Sequence, residues 1–223
     1  MTIKSIRTAC IILCTTIIVA CSIGVNLVTY TGMKETIKKT NSDYKDAVIS
    51  GYKEQIKDEV GAMLTVVNMV YEKSQSGEMS EKDAKKEAKK EAMEILRNAR
   101  YGEDGEGYFW IDGTDYTLLM HPILSEQEGT NRYDLKDQNG VKIIQNIMKS
   151  AEAGGGYNEF YFTKADGKTV APKIAYSEEF EPWGWVITTG NYVDNLEKNI
   201  EKNRVTLQNR QKSMMMQNIF ISV

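Results

Sequence analysis

The first hydrophobic pattern along the chain has no period at all. No charged residue occurs from Thr8 to Met33, and the centre reads Ala-Cys-Ile-Ile-Leu-Cys-Thr-Thr-Ile-Ile-Val-Ala-Cys. Coiled as a helix, such a run can cross the ~30 Å hydrocarbon core of a bilayer. It predicts a transmembrane helix over residues 8–32. Lys4 and Arg7 precede it, which keeps residues 1–7 cytoplasmic and sends the rest of the chain outward. Two other fates stay open for this segment. Ile18-Val19-Ala20-Cys21 has the form of a lipobox, and a cleaved signal peptide also joins a basic start to an apolar core. The apolar run continues past Cys21 through Leu27 and Val28, which favours a retained anchor.

From Met33 to about Lys73 the pattern becomes periodic. Ile37, Tyr44, Val48, Tyr52, Ile56, Val60, Met63, Val67 and Val70 recur at three, four or seven residues and form one apolar stripe. No proline interrupts this stretch, so one long helix is expected. Its stripe is long for one small domain and suggests a homodimer. Ser74 to Gly77 forms a break. Ser80-Glu-Lys-Asp83 then has the form of a capping box. A second helix follows, with Ala84, Ala88, Ala92, Ile95, Leu96 and Ala99 as its buried stripe. Its Lys/Glu run from Lys82 to Glu94 reads as a solvated face.

After Gly102 to Gly107 the period changes to two. Tyr108 to Asp112 and Tyr116 to His121 read as a hairpin around Gly113-Thr-Asp115. Pro122 to about Lys136 is a loop, and Val141 to Ala151 a short helix ended by three glycines. Three further strands are expected: Tyr157 to Phe162, Thr169 to Tyr176 and Trp183 to Thr189. A polar helix runs on from Val193. The predicted fold is α+β, a five-stranded antiparallel sheet with helices packed on it. After Lys212 no charge occurs, and residues 213–223 read as the start of a second, truncated transmembrane helix. A greasy tail docked on the domain is the alternative. Residues 33–212 form the exported domain.

Composition narrows the function classes. The chain has 223 residues, 41% of them hydrophobic and 26% charged, with a net charge of −3. That balance gives no basic field for nucleic acid. Cys10, Cys14 and Cys21 all fall in the first apolar run, so no disulfide framework or zinc knuckle is expected in the exported part. His121 is the single histidine. No activated nucleophile or metal constellation is visible, so neither an enzyme nor a cofactor is expected. The glycine-rich Gly102 to Gly107 segment precedes a strand, unlike a phosphate loop, and its acidic residues lack EF-hand spacing.

Several short motifs occur in a specific order. Arg100-Tyr101, Gly107-Tyr108-Phe109-Trp110 and Met120-His121-Pro122 come first. Gly156-Tyr157, Lys173-Ile-Ala-Tyr176, Pro182-Trp-Gly-Trp-Val-Ile187 and Gly190-Asn191-Tyr192 follow. This series resembles the single-Cache (sCache_2-type) sensory domain over about residues 33–200. The resemblance implies a PAS-like sheet, a periplasmic or extracellular location and a small-molecule ligand. Known ligands of that family include acetate, propionate, pyruvate, lactate and urea. Its members usually belong to methyl-accepting chemotaxis receptors, and also to sensor histidine kinases and cyclic-dinucleotide enzymes. A membrane-anchored adaptor domain without a small ligand is the competing expectation.

Strand alternation puts Tyr108 and Trp110 on one sheet face, with Phe109 and Ile111 on the other. Tyr157 and Tyr161 likewise share a face, opposite Phe160 and Phe162. Aromatic rings with polar tips suit a small polar pocket, and equally an aromatic core whose hydroxyls reach the surface. Lys173 stands mid-strand among apolar neighbours, either snorkelling outward or facing a ligand acceptor. A carboxylate taken from water needs a cation or several donors, which Lys173 and the tyrosine hydroxyls could supply. The family pattern places its conserved lysine at the same point. Tyr176 shares that pocket only if a bulge near Pro172 breaks the alternation. His121, from the family's His-Pro element, is a ligand contact or a structural residue, and its protonation would make binding pH-sensitive. Arg100 either pairs with a carboxylate or complements the end of its helix. The expected ligand contacts are therefore Arg100, Tyr108, Trp110, His121, Tyr157, Tyr161, Lys173 and Tyr176.

Overall fold

The structure, a computed structural model, describes residues 3–76, 81–102, 105–164, 166 and 168–221. Ser80, and with it the start of the expected capping box, lies outside the described residues. The chain divides into two compact units, Met1–Val48 with Glu197–Val223, and Ile49–Leu196.

The first unit is helical. It holds the N-terminal part of α1 (Ile3–Gln75) and most of α4 (Val193–Ile221). Within α1 lies one window long and apolar enough to cross a membrane. Ile11, Leu13, Ile17, Val19, Ile23 and Val28 are exposed there, as lipid-facing side chains are. Thr15, Thr16 and Thr29 return their hydroxyls to carbonyls of the preceding turn. That leaves few polar groups seeking water.

The second unit is the α+β domain. Its strands are β1 (Phe109–Gly113), β2 (Leu118–Met120), β3 (Gly156–Thr163), β4 (Val170–Phe180) and β5 (Trp185–Tyr192). They form one sheet in the order β2-β1-β5-β4-β3, with every neighbouring pair antiparallel. Because residues alternate across a strand, the two faces carry different cores. Phe109, Ile111, Ile174, Tyr176, Trp185 and Ile187 point to one face. They meet Ile56, Val60, Val67 and Val70 of α1, and Ala88, Ala92 and Leu96 of α2 (Glu81–Asn98). Tyr108, Trp110, Phe160, Ala175 and Val186 point to the other. They meet Ile143, Ile144, Ile147, Met148 and Ala151 of α3 (Ile143–Glu152).

Ile95, expected in the buried stripe of α2, lies at its edge and is 36% exposed. Met93 packs on the core instead. β4 runs four residues beyond its expected end, the expected turn is a short 3-10 turn over Glu181–Trp183, and the last strand starts at Trp185 instead of Trp183.

The central strands approach closely at Gly190. A Cβ there would stand 2.7 Å from the Ala175 Cα and would also strike the Ile174 carbonyl oxygen. Both are backbone atoms of β4, so relief requires the strands to part. Gly190→Ala is expected to destabilise the domain by about 2–3 kcal/mol, the cost of overpacking a well-filled core. Urea unfolding of the chain in detergent checks this; an unchanged midpoint would contradict the close packing.

Candidate ligand-binding site

The site lies on the α3 side of the sheet and is built around Lys173. Between Pro172 and Ile174 on β4, strand geometry sends this lysine inward, where it is 2% exposed. Its Nζ donates to the Tyr108 hydroxyl at 2.8 Å. The same nitrogen lies 4.4 Å from the Tyr108 ring centroid, 4.7 Å from Trp110, 5.1 Å from Tyr192 and 5.9 Å from Phe162. Aromatic faces attract a cation, though more weakly than a carboxylate does. Among the described residues no carboxylate forms a salt bridge with Lys173. Burial therefore acts on it alone and lowers its pKa to about 7.

A second cation is held differently. Asp112, at the inner end of β1, is fully buried and receives the guanidinium of Arg132 through Nε at 3.1 Å and through Nη2. The Trp110 indole N–H donates to its other oxygen at 3.1 Å. Burial pushes the Asp112 carboxyl up, against the opposing pull of Arg132. Arginine does not give up its proton, so a neutral Asp112 would strand a buried guanidinium. The two form an ion pair that cancels within the site.

His121 is also buried, against the rings of Tyr108 and Trp110. Its Nδ1 accepts from the backbone N–H groups of Ile123 and Leu124, both at 3.1 Å. That leaves the ring proton on Nε2. Burial first, then the charges of Lys173, Arg132 and Arg97, lower its pKa to about 3. Burial and these cations favour the neutral imidazole, which argues against His121 as the source of a pH-sensitive binding step. The corner it occupies is pinned from outside. Glu128 accepts from the His121 N–H at 2.8 Å and takes both arms of Arg97 at 2.7 and 2.9 Å.

Lys173, Arg132 and His121 share one cavity with Trp110, Phe160, Phe162 and three isoleucines of α3. It is small, about 10 Å³, room for roughly one water. The chemistry of the lining suits a compact anion with an apolar body once the cavity opens: the Lys173 cation and an imidazole N–H for the charge, with aromatic and isoleucine walls for the rest. Among the described residues no group of three or more His, Cys, Asp or Glu side chains is placed to hold a metal ion.

Of the expected contacts, the structure brings together Lys173, Tyr108, Trp110 and His121. Four others lie elsewhere. The β3–β4 register runs unbroken from Gly156↔Ser177 to Thr163↔Val170, so no bulge at Pro172 rotates Tyr176 inward. Tyr176 packs on the α1 side, and its hydroxyl donates to Glu178 at 3.1 Å. Tyr157 stacks beside it, is 39% exposed and donates to the Lys53 carbonyl at 2.9 Å. Tyr161 follows Tyr157 by four residues on the same face, while Phe160 and Phe162 turn to the cavity. Arg100 is exposed and donates to the Arg97 and Ala99 carbonyls, both at 2.8 Å, which complements the end of α2.

Sequence reasoning missed Asp112, Arg132, Phe160, Phe162 and Tyr192 as parts of this site. A lone carboxylate in Tyr-Phe-Trp-Ile-Asp was a signal for Asp112. Arg132 carried none, because its partner is 20 residues away.

Arg132→Met would leave the Asp112 carboxyl buried with only an indole donor. The expected cost is about 3–5 kcal/mol. The double variant Asp112→Leu/Arg132→Met is expected to recover most of it. Denaturant midpoints of the three chains test this, and a double variant no better than the single would contradict the pairing.

Comparison with known proteins identifies the family and the fold. Residues 48–205 match the family profile described as Single Cache domain 2. The sensor histidine kinase MctS of Rhizobium johnstonii is 30% identical over 133 residues, which covers 60% of this chain and 27% of that protein. The methyl-accepting chemotaxis protein McpP of Pseudomonas putida is 27% identical over 107 residues, 48% of this chain and 19% of that protein. The chain thus spans about a quarter or less of the curated relatives it matches. A solved periplasmic sensor domain of a chemotaxis protein superposes with a TM-score of 0.60 at 29% identity. That match covers 65% of this chain and 97% of the solved one.

Proposed function

Because the chain belongs to the Single Cache domain 2 family, we propose that it is the extracytoplasmic sensor region of a transmembrane receptor and binds a short carboxylate at Lys173. The observation that carries this reading is a buried ammonium whose neighbours are aromatic rings and a hydroxyl, with no carboxylate among the described residues paired to it. A ligand carboxylate would supply the missing charge in a site that water screens poorly. The Nε2–H of His121 is a second donor for it. Phe160, Phe162 and the isoleucines of α3 would face a short alkyl or acyl body. The small cavity favours short acids over long ones. Binding, not turnover, is the role this constellation supports.

The topology is proposed as a cytoplasmic start at residues 1–7, a first span at 8–32, an exported domain at 33–212 and a second span beginning at 213–223. β5 passes into α4 at Val193 without an intervening loop, and Lys164 holds Asp194 in the first turn of α4 at 2.7 Å. A ligand that shifts the end of β5 would thereby displace α4, by no more energy than its differential affinity for the two packings. The relatives include both a histidine kinase and a chemotaxis receptor, and either output is compatible with such a displacement. Ile56, Val60, Val67 and Val70 of the α1 stripe are buried in the domain's own core, so the homodimer contact is proposed for its earlier part, Ile37, Tyr44 and Val48.

The lysine gives binding a defined pH dependence. Binding requires the ammonium form, and the pKa in the ligand-free domain is about 7. Below that value the charge is already present. Above it each binding event must take up a proton, so apparent affinity is expected to fall about tenfold per pH unit. Calorimetric titration of the chain in detergent with acetate, propionate, pyruvate and lactate from pH 6 to 9 tests this. Lys173→Met is expected to fold at least as stably as wild type, since it removes a costly buried charge, and to lose carboxylate binding. Binding by none of these acids, or equal binding by Lys173→Met, would sink the proposal.

A further inference from the structure

Two tyrosines stand between Lys173 and a much larger space. A surface groove of about 460 Å³ runs past Tyr108 and Tyr192, with Arg100 and Lys164 as its cations and Glu106 and Asp166 as its carboxylates. Tyr108 and Tyr192 border this groove, and both also contact the Lys173 ammonium from that side. Their hydroxyls interact with each other. The cavity beyond them has room for roughly one water. Even the smallest carboxylate has more atoms than that, so some wall must move before an acid reaches Lys173.

The walls differ in how firmly they are held. Ile143, Ile144 and Ile147 are fully buried in the α3 core, and Trp110 is tied to Asp112. Tyr108, just ahead of β1, is buried, and its carbonyl accepts from Thr189 at 2.6 Å. Tyr192 is half-buried and is the last residue of β5. Two ammonium groups approach its ring, Lys173 and Lys164, each 5.1 Å from the centroid. Its hydroxyl donates to the Thr163 carbonyl at 2.7 Å, at the end of edge strand β3. The Thr163 hydrogen bond, the hydroxyl contact with Tyr108 and two cation–ring contacts hold it, all at the half-exposed end of a strand, a weaker clasp than the buried core packing of the other walls.

We propose that the groove is the entry route to Lys173 and that the Tyr192 side chain is its gate. The inference rests on Lys173 as the ligand's anchor and adds how the ligand arrives. It also makes the gate responsive to occupancy. A carboxylate on Lys173 draws the ammonium away from the Tyr192 ring, so the closed position loses one of its two cations. Open and closed gates then differ in ligand affinity, as a population shift requires.

Access to Lys173 can be measured without any carboxylate. Isocyanic acid, supplied as potassium cyanate, adds to a neutral amine: the lysine nitrogen bonds to the carbon, and a proton moves to the isocyanate nitrogen to give the urea. One pH unit above its pKa of about 7 Lys173 is largely neutral, so access limits its rate, and the gate is then held by the Thr163 bond and Lys164. The chain in detergent is labelled at pH 8, and modification of Lys173 and of the exposed Lys142 is followed by peptide mass spectrometry.

Tyr192→Ala is expected to speed Lys173 labelling about tenfold while Lys142 is unchanged, as for a local opening made easier. Tyr192→Phe keeps the ring but loses the bond to Thr163, and Lys164→Met loses the outer cation; each is expected to give a smaller acceleration. Melting curves verify folding, and if Tyr192→Ala does not fold, the two milder variants decide. Wild-type rates in folded Tyr192 and Lys164 variants would overturn the gate. A chain that binds no carboxylate yet shows the accelerations would overturn the preceding reading and leave the gate standing.

Discussion

An ammonium removed from water loses solvation that protein dipoles replace only in part, and Lys173 receives that replacement from aromatic rings and one phenol. Much of the domain's construction serves this one group. β4 carries it inward from the interior of the sheet, β1 supplies Trp110, with Tyr108 just ahead of that strand, β3 supplies Phe162, and β5 ends in Tyr192. The second cation, Arg132, is cancelled by Asp112, so the net positive charge of the cavity belongs to Lys173 alone. A site of this kind gains by accepting an anion and is strained by protonation without one. That asymmetry is what a sensor needs.

The two faces of the sheet divide the work. One is packed against α1 and α2 by Ile56, Val60, Val67, Ala92 and Leu96. The other carries the cavity under α3. Tyr101 bridges them: its hydroxyl meets the Thr189 hydroxyl at 2.8 Å, and Thr189 in turn donates to the Tyr108 carbonyl. A change at Tyr108 therefore has a hydrogen-bonded route toward the α1 side, and a change at Tyr192 has a covalent one into α4. Both run through β5, the strand at the middle of the sheet.

Much of this was legible before any coordinates. The change of period from 3.6 to 2 near Gly107 marked where helices give way to strands, and alternation assigned Tyr108 and Trp110 to one face. What alternation cannot say is which face of a strand meets the cavity. On β3 the polar-tipped tyrosines drew attention, while the cavity is faced by Phe160 and Phe162. The pairing of Asp112 with Arg132 depends on how a loop returns over the sheet, which no local pattern encodes. The neutrality of His121 follows from two backbone N–H groups on its Nδ1 and from neighbouring cations, both tertiary facts. Tyr192 stood in a recognised motif, but its place over Lys173 needed the register of β4 with β5.

The account turns on the ionisation of one side chain. With lysine labelled with nitrogen-15, the Nζ shift of Lys173 can be followed by NMR from pH 5 to 11, with and without a saturating short carboxylate. The account predicts a midpoint near 7 in the ligand-free domain and an upward shift of about two units or more when the acid is bound. A midpoint near the ordinary lysine value of about 10.4, unmoved by any carboxylate, would contradict it.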